Sequence, residues 1–157
     1  MNKKILFALT VALVAIAAVG TASAFDFSDL GSLFGAPKDQ NVTIDGETFK
    51  IPAKFKEINN LSENGTVDDY GVLKTTKYVK SFSNDTNFIN IHVYEVNGTN
   101  LTNDLINFNN GTSKDISGVK GYLYKDDNNT YTYTYSKGNK IIGIQSDKEA
   151  LIGPVIA

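Results

Sequence analysis

Residues 118–146, GVKGYLYKDDNNTYTYTYSKGNKIIGIQS, constrain the fold more than any other stretch. Three short runs alternate apolar and polar side chains, and DDNN and KGN break them. Period-two runs punctuated by turn residues read as two consecutive β-hairpins. A four-residue DDNN loop sets Lys125 against Thr130, Tyr124 against Tyr131 and Tyr122 against Tyr133. A two-residue Gly138-Asn139 turn sets Tyr135 against Ile142 and Tyr133 against Ile144. One face then gathers Tyr122, Tyr124, Tyr131, Tyr133, Tyr135, Ile142 and Ile144. The other face, largely Thr and Gly, suits solvent. A loop of odd length would slip this parity.

More strands precede the meander. Val42 and Ile44, then Phe49 and Ile51, flank Asp45-Gly46, whose residues tolerate positive φ and so mark a tight hairpin. Pro52 closes the second strand because it has no N–H to donate. A short helix or bend over residues 53–58 would plant Phe55 and Ile58 in the core, and residues 59–69 read as an exposed loop. Residues 70–82 and 88–96 read as strands, with Ile89, Ile91 and Val93 on one face. Residues 99–109 are the best helix candidate, centred on 100–108, because Leu101, Leu105 and Phe108 recur at four and three. Asp147 is positioned to cap a closing helix over 148–152. The expected class is therefore α+β: a mostly antiparallel sheet of six to seven strands with one main helix packed on one face.

The N-terminus carries an address. Met1 to Lys4 is basic, residues 5–19 are almost wholly apolar, and Thr21-Ala22-Ser23-Ala24 offers small residues for cleavage. This is the pattern of a secretory signal helix, 1–24. The apolar run is short for a membrane span, which needs about 20 residues. Residues 25–40 read as a tether and 41–157 as a single α+β domain. Removing Lys3 and Lys4 leaves 13 basic against 17 acidic residues, 13 − 17 = −4, and no residue is Arg. That balance argues against nucleic acid, whose phosphates need concentrated positive charge. With no Cys in the chain, stability rests on the core rather than on disulfides.

Asparagine is the compositional outlier. Sequons of the form N-x-S/T begin at Asn41, Asn60, Asn64, Asn84, Asn97, Asn100, Asn110 and Asn128. With 17 Asn and 24 Ser or Thr in 157 residues, chance supplies about 2.6. A genome rich in A and T inflates Asn, but it does not place Ser or Thr two residues later. The excess points to glycosylation on an extracellular face.

The candidates for chemistry are few. The five same-face tyrosines, Tyr122, Tyr124, Tyr131, Tyr133 and Tyr135, are either a core face under the helix with wet hydroxyls or an exposed platform that stacks on sugars. His92 is the sole histidine and reads as a surface or rim residue, since no nucleophile motif accompanies it. Asp126-Asp127-Asn128-Asn129 and Asp68-Asp69 are oxygen-rich but read as solvated turns. No catalytic set, metal site or cofactor is expected. The expected partner is an unknown cell-envelope protein or glycan, with the membrane touched only through an uncleaved signal segment.

From Asn41 onward the chain resembles small exported domains of unknown function from methanogenic archaea. The residues that carry the resemblance are Phe49-Lys50-Ile51-Pro52 with Phe55, then Ile116 to Tyr122 (ISGVKGY) and Ile141 to Leu151 (IIGIQSDKEAL). The layout is also faintly similar to PsbP-like α+β domains, which bind partners rather than catalyse. The resemblance carries over no functional residue. The signal, the sequons, the acidic balance and the lack of a catalytic set point instead to a non-enzymatic module, secreted or envelope-facing, that interacts with a surface partner. A carbohydrate- or ligand-binding module on the tyrosine face is the alternative, and an envelope hydrolase is a distant third.

Overall fold

The computed structural model divides into two units, Met1–Phe34 and Gly35–Ala157. It describes residues 38–98 and 101–156, all in the second unit. The expected signal segment, most of the tether and the Asn100 sequon lie outside the described residues.

The chain folds as strands β1 (Gln40–Ile44), β2 (Glu47–Ile51), β3 (Lys56–Glu57), β4 (Glu63–Tyr70), β5 (Leu73–Ser83) and β6 (Phe88–Val96). Helix α1 (Asn103–Ile106) follows, then β7 (Thr112–Ile116), β8 (Val119–Lys125), β9 (Tyr131–Lys137), β10 (Lys140–Ser146) and helix α2 (Ile152–Val155). β1 and β2 pair with each other and with no other named strand, β2 adding one isolated bridge from Phe49 to Ile156. The other strands form one eight-stranded sheet in the order β3-β5-β6-β10-β9-β8-β7, with β4 also on β5. Each strand pair is antiparallel. The mostly antiparallel α+β class is as expected, but the sheet has eight strands, not six to seven.

The additional strands come from polar sequence. β4, ENGTVDDY, falls mostly within residues 59–69, whose two sequons and scarce apolar side chains predict an exposed loop, and it takes Tyr70 from the strand expected over 70–82. It pairs with β5 at the sheet edge and is exposed along most of its length, so no buried face imposes a period. β7, TSKDI, is the opposite edge strand and is equally polar. The helix expected over residues 99–109 is only the four-residue α1. The chain leaves it at Asn107, whose side chain accepts from Gly111 N (2.6 Å) and donates to Gly111 O (3.0 Å). This amide clamp lets the chain leave the helix, and Asn has modest helix propensity. The closing helix also differs. A 3₁₀ turn, Glu149–Leu151, runs into α2, and Asp147 does not cap it. Asp147 Oδ1 instead accepts from Phe88 N (3.2 Å), beside Ser146 Oγ, which donates to Phe88 O (2.8 Å).

Two hydrophobic clusters lie on opposite faces of the sheet. The larger joins Phe82, Ile89, Ile91, Val93, Tyr133, Tyr135, Ile142 and Ile144 to Ile44, Phe49 and Ile51 of the β1–β2 hairpin and to Ile152 and Val155 of α2. Thus the hairpin and the C-terminus cover this face, and α1 does not. The hairpin turns at Asp45-Gly46, φ +45 and +76, as its sequence requires. Lys140 ties that turn to β10 by an ion pair with Asp45 (2.9 Å). The smaller cluster joins Leu73, Val96 and Ile141 to Tyr70, Tyr94, Leu101 and Leu105, around α1. β10 is central and buried on both faces at Ile141, Ile142, Gly143 and Ile144, which is why it reads IIGI rather than alternating.

Candidate functional site

The β9–β10 register is the expected one, with Tyr135 against Ile142 and Tyr133 against Ile144. The β8–β9 register is not. Tyr122 pairs with Thr134, Leu123 with Tyr133 and Tyr124 with Thr132. Thr130 belongs to the loop, which therefore has five residues, and Asn129 adopts φ +63. Asp126 Oδ1 organises it by accepting from Asn128 N (2.9 Å) and Thr130 N (2.8 Å). The odd loop moves β8 by one position, so Tyr122 and Tyr124 lie on the face opposite Tyr131, Tyr133 and Tyr135.

The five tyrosines therefore do not share one surface. Tyr133 is fully buried and Tyr135 nearly so, while Tyr131 is half-buried. Tyr133 Oη donates to Val119 O (2.6 Å) and lies 3.0 Å from Lys114 O, so its polar end is satisfied inside the sheet. Burial raises the Tyr133 phenol and pushes Tyr135 up to about 12. Lys125 Nζ stands 5.1 Å over the Tyr131 ring. On the second face Tyr124 is exposed. Tyr122 lines a groove of about 190 Å³ with Asn103, Ile106, Ser113, Lys120, Ser136 and Tyr135. That groove joins an aromatic ring to hydroxyl, amide and ammonium groups, a mixture suited to a small polar ligand.

The second face also holds His92, between Val79 on β5 and Gly143 on β10. It is not on a rim. Both ring nitrogens are buried, and neither finds a hydrogen-bond partner. Burial lowers its pKa; the Gln145 side chain beside it opposes this, and Lys77 reinforces it. Stability linked to His92 is thus present above its ordinary value and lost on acidification. Lys77 is bridged by Asp68 (2.7 Å) and Glu63 (3.1 Å). Asp69 pairs with Lys74 at 2.7 Å, so both Asp68 and Asp69 are engaged with lysines. Among the described residues no three His, Asp or Glu side chains converge to hold a metal ion. Periodicity gave His92 a polar face with Asn90 and Tyr94; it carried no signal that the sheet's second face would close over the ring.

The described sequon asparagines spread over the domain. Asn41, Asn60, Asn64, Asn97, Asn110 and Asn128 are exposed and Asn84 is half-buried. Asn84 Oδ1 accepts from Thr86 N (3.0 Å) and Asn87 N (2.7 Å), an Asx turn. A larger groove of about 680 Å³ runs beside this turn, lined by Lys38, Gln40, Lys54, Phe55, Lys56, Asn84, Asp85 and Thr86. Sequence reasoning missed it, because its lysines come from separate segments that no motif links.

No family model, curated protein or solved structure matches this chain.

Proposed function

We propose that this chain is an exported, glycosylated domain of the cell envelope that interacts with another envelope component and performs no catalysis. The observation that supports it best is the exposure of six described sequon asparagines, each on a surface a glycan can occupy. The burial of both His92 ring nitrogens supports the non-catalytic part, since a general base must reach its substrate. Peptide mapping of protein isolated from its own cells is expected to show glycans at several of the eight asparagines. Uniformly unmodified sites would remove the glycosylated reading, and a turnover activity lost in His92→Ala would remove the non-catalytic one.

A second reading, a carbohydrate- or small-ligand-binding module, draws on Tyr122 and Tyr135, which line one groove, rather than on all five tyrosines. Its support is the Tyr122 groove beside α1. Glycan-array binding that Tyr122→Ala abolishes is the expected outcome. Binding that survives in Tyr122→Ala would sink it.

A further inference from the structure

We infer that the groove beside the β5–β6 turn is a binding site for an anionic saccharide, one whose sugars carry carboxylate or sulfate groups. The inference deepens the envelope-module reading and rests on it for context. Three lysines line this groove, Lys38, Lys54 and Lys56, against one carboxylate, Asp85. All three are exposed, and among the described residues none is in an ion pair. By contrast Lys50, Lys74, Lys77, Lys80, Lys114, Lys137 and Lys140 all pair with carboxylates. Lys120, Lys125 and Lys148 are also outside ion pairs among the described residues, but Lys38, Lys54 and Lys56 are the three that line this one concave surface.

The backbone under this groove is held with some force. Asp39 Oδ1 accepts from Ala53 N (2.9 Å), Gln40 Nε2 donates to Phe55 O (2.8 Å), and Phe55 N donates to Pro52 O (3.2 Å). Within that tight turn Lys54 sits at φ +76, a left-handed conformation in which a Cβ is disfavoured and Gly is the easy choice. A lysine kept there at a cost in backbone strain is the pattern of a residue retained for its side chain.

The lining selects the ligand class. About 680 Å³ of open groove is the size range of small-molecule sites. Three ammonium groups against one carboxylate suit a ligand that carries several negative charges rather than one. Gln40, Asn84 and Thr86 offer amide and hydroxyl groups that match sugar hydroxyls. Nucleic acid fits poorly, because its dense phosphates need more positive charge than three lysines in an acidic surface supply.

Asn84 is itself a sequon, so the test uses the chain exported by a bacterial host that attaches no N-glycan. Calorimetry with oligogalacturonate and with sulfated dextran is expected to show binding at low salt, with neutral dextran silent. The two anionic probes separate carboxylate from sulfate recognition. Raising the salt should weaken binding steeply, because the lysines are exposed. Each of Lys38→Gln and Lys56→Gln should weaken affinity about three- to fivefold. Lys54→Gly is the decisive variant. It relieves the left-handed strain, so its melting temperature should rise while binding falls. Wild-type binding by Lys54→Gly and by the triple Lys→Gln variant would overturn the assignment, as would polyglutamate binding as tightly as the saccharides. If binding fails while native protein carries its glycans, the groove assignment falls and the envelope-module reading stands.

Discussion

Tyr133 shows how one side chain sets the packing around it. Its ring crosses β8 over Gly121. A Cβ there would meet Thr134 O at 2.5 Å, Tyr133 Cζ at 2.8 Å and Tyr133 Oη at 2.9 Å. Gly121→Ala is therefore expected to cost ~3 kcal/mol, because neither backbone nor a buried ring can yield cheaply. Tyr133→Phe keeps the ring and leaves Val119 O without its hydroxyl donor, which should cost ~1–2 kcal/mol. Urea denaturation of both variants checks the order. An alanine at position 121 that costs less than the phenylalanine at 133 would contradict the close approach. Tyr70 and Tyr135 make a second residue-scale prediction. Burial pushes each phenol up to about 12, with the Thr134 side chain opposing the rise at Tyr70. Tyr70 Oη also donates to Ile106 O at 2.7 Å. The folded chain holds these protons more tightly than the unfolded chain. The linked stability is thus complete below about pH 10 and is lost as pH rises from there towards 12. Ultraviolet titration should show two phenols ionising last, or only on unfolding. A full set of tyrosines titrating near pH 10 in folded protein would refute this.

At the scale of elements, the meander was legible as strands and turns, and one hairpin register with them. The Lys137–Lys140 hairpin follows from a two-residue Gly138-Asn139 turn, which leaves little freedom. The β8–β9 hairpin does not, because DDNNT supports loops of four or five residues from the same letters. The deciding facts are conformational: the Asp126 carboxylate capping two N–H groups and the left-handed Asn129. Asn is one of the few side chains at ease there, and that preference was the available clue. Asn129→Gly is accordingly expected to be within ~0.5 kcal/mol of wild type, whereas Asn129→Val should cost ~1–2 kcal/mol. Thermal melts of the pair read this directly, and equal losses in both would mean the residue is not held at positive φ. The candidate site was less legible than the strands. His92 and Tyr122 acquire their surroundings from β4, β5 and α1, and β4 has no periodic signature to announce it.

At the scale of the whole domain, the main question is what covers the large apolar face. An amphipathic helix over residues 100–108 was the natural candidate from sequence, since it carries the clearest stripe. The cover is instead split between the β1–β2 hairpin at one end of the domain's sequence and α2 at the other. Local pattern cannot show this, because Ile152-Gly153-Pro154-Val155 is too short and too irregular to display a period. Its importance lies in contacts made across the chain. Ile152 and Val155 are both fully buried, and Ile156 bridges to Phe49 on β2. Burying two such side chains contributes about 3–6 kcal/mol, a large part of the 5–15 kcal/mol typical of a domain's stability. Ending the chain after Leu151 should therefore lower the melting temperature by more than 10 °C or leave the protein unfolded at 37 °C. Hydrogen exchange on the truncated protein would locate the damage. Protection should be lost first in β1 and β2, which rest on α2, while β6, β9 and β10 hold theirs longest. Equal protection in the hairpin with and without residues 152–157 would show that the hairpin docks by itself and that the two-part cover is not cooperative.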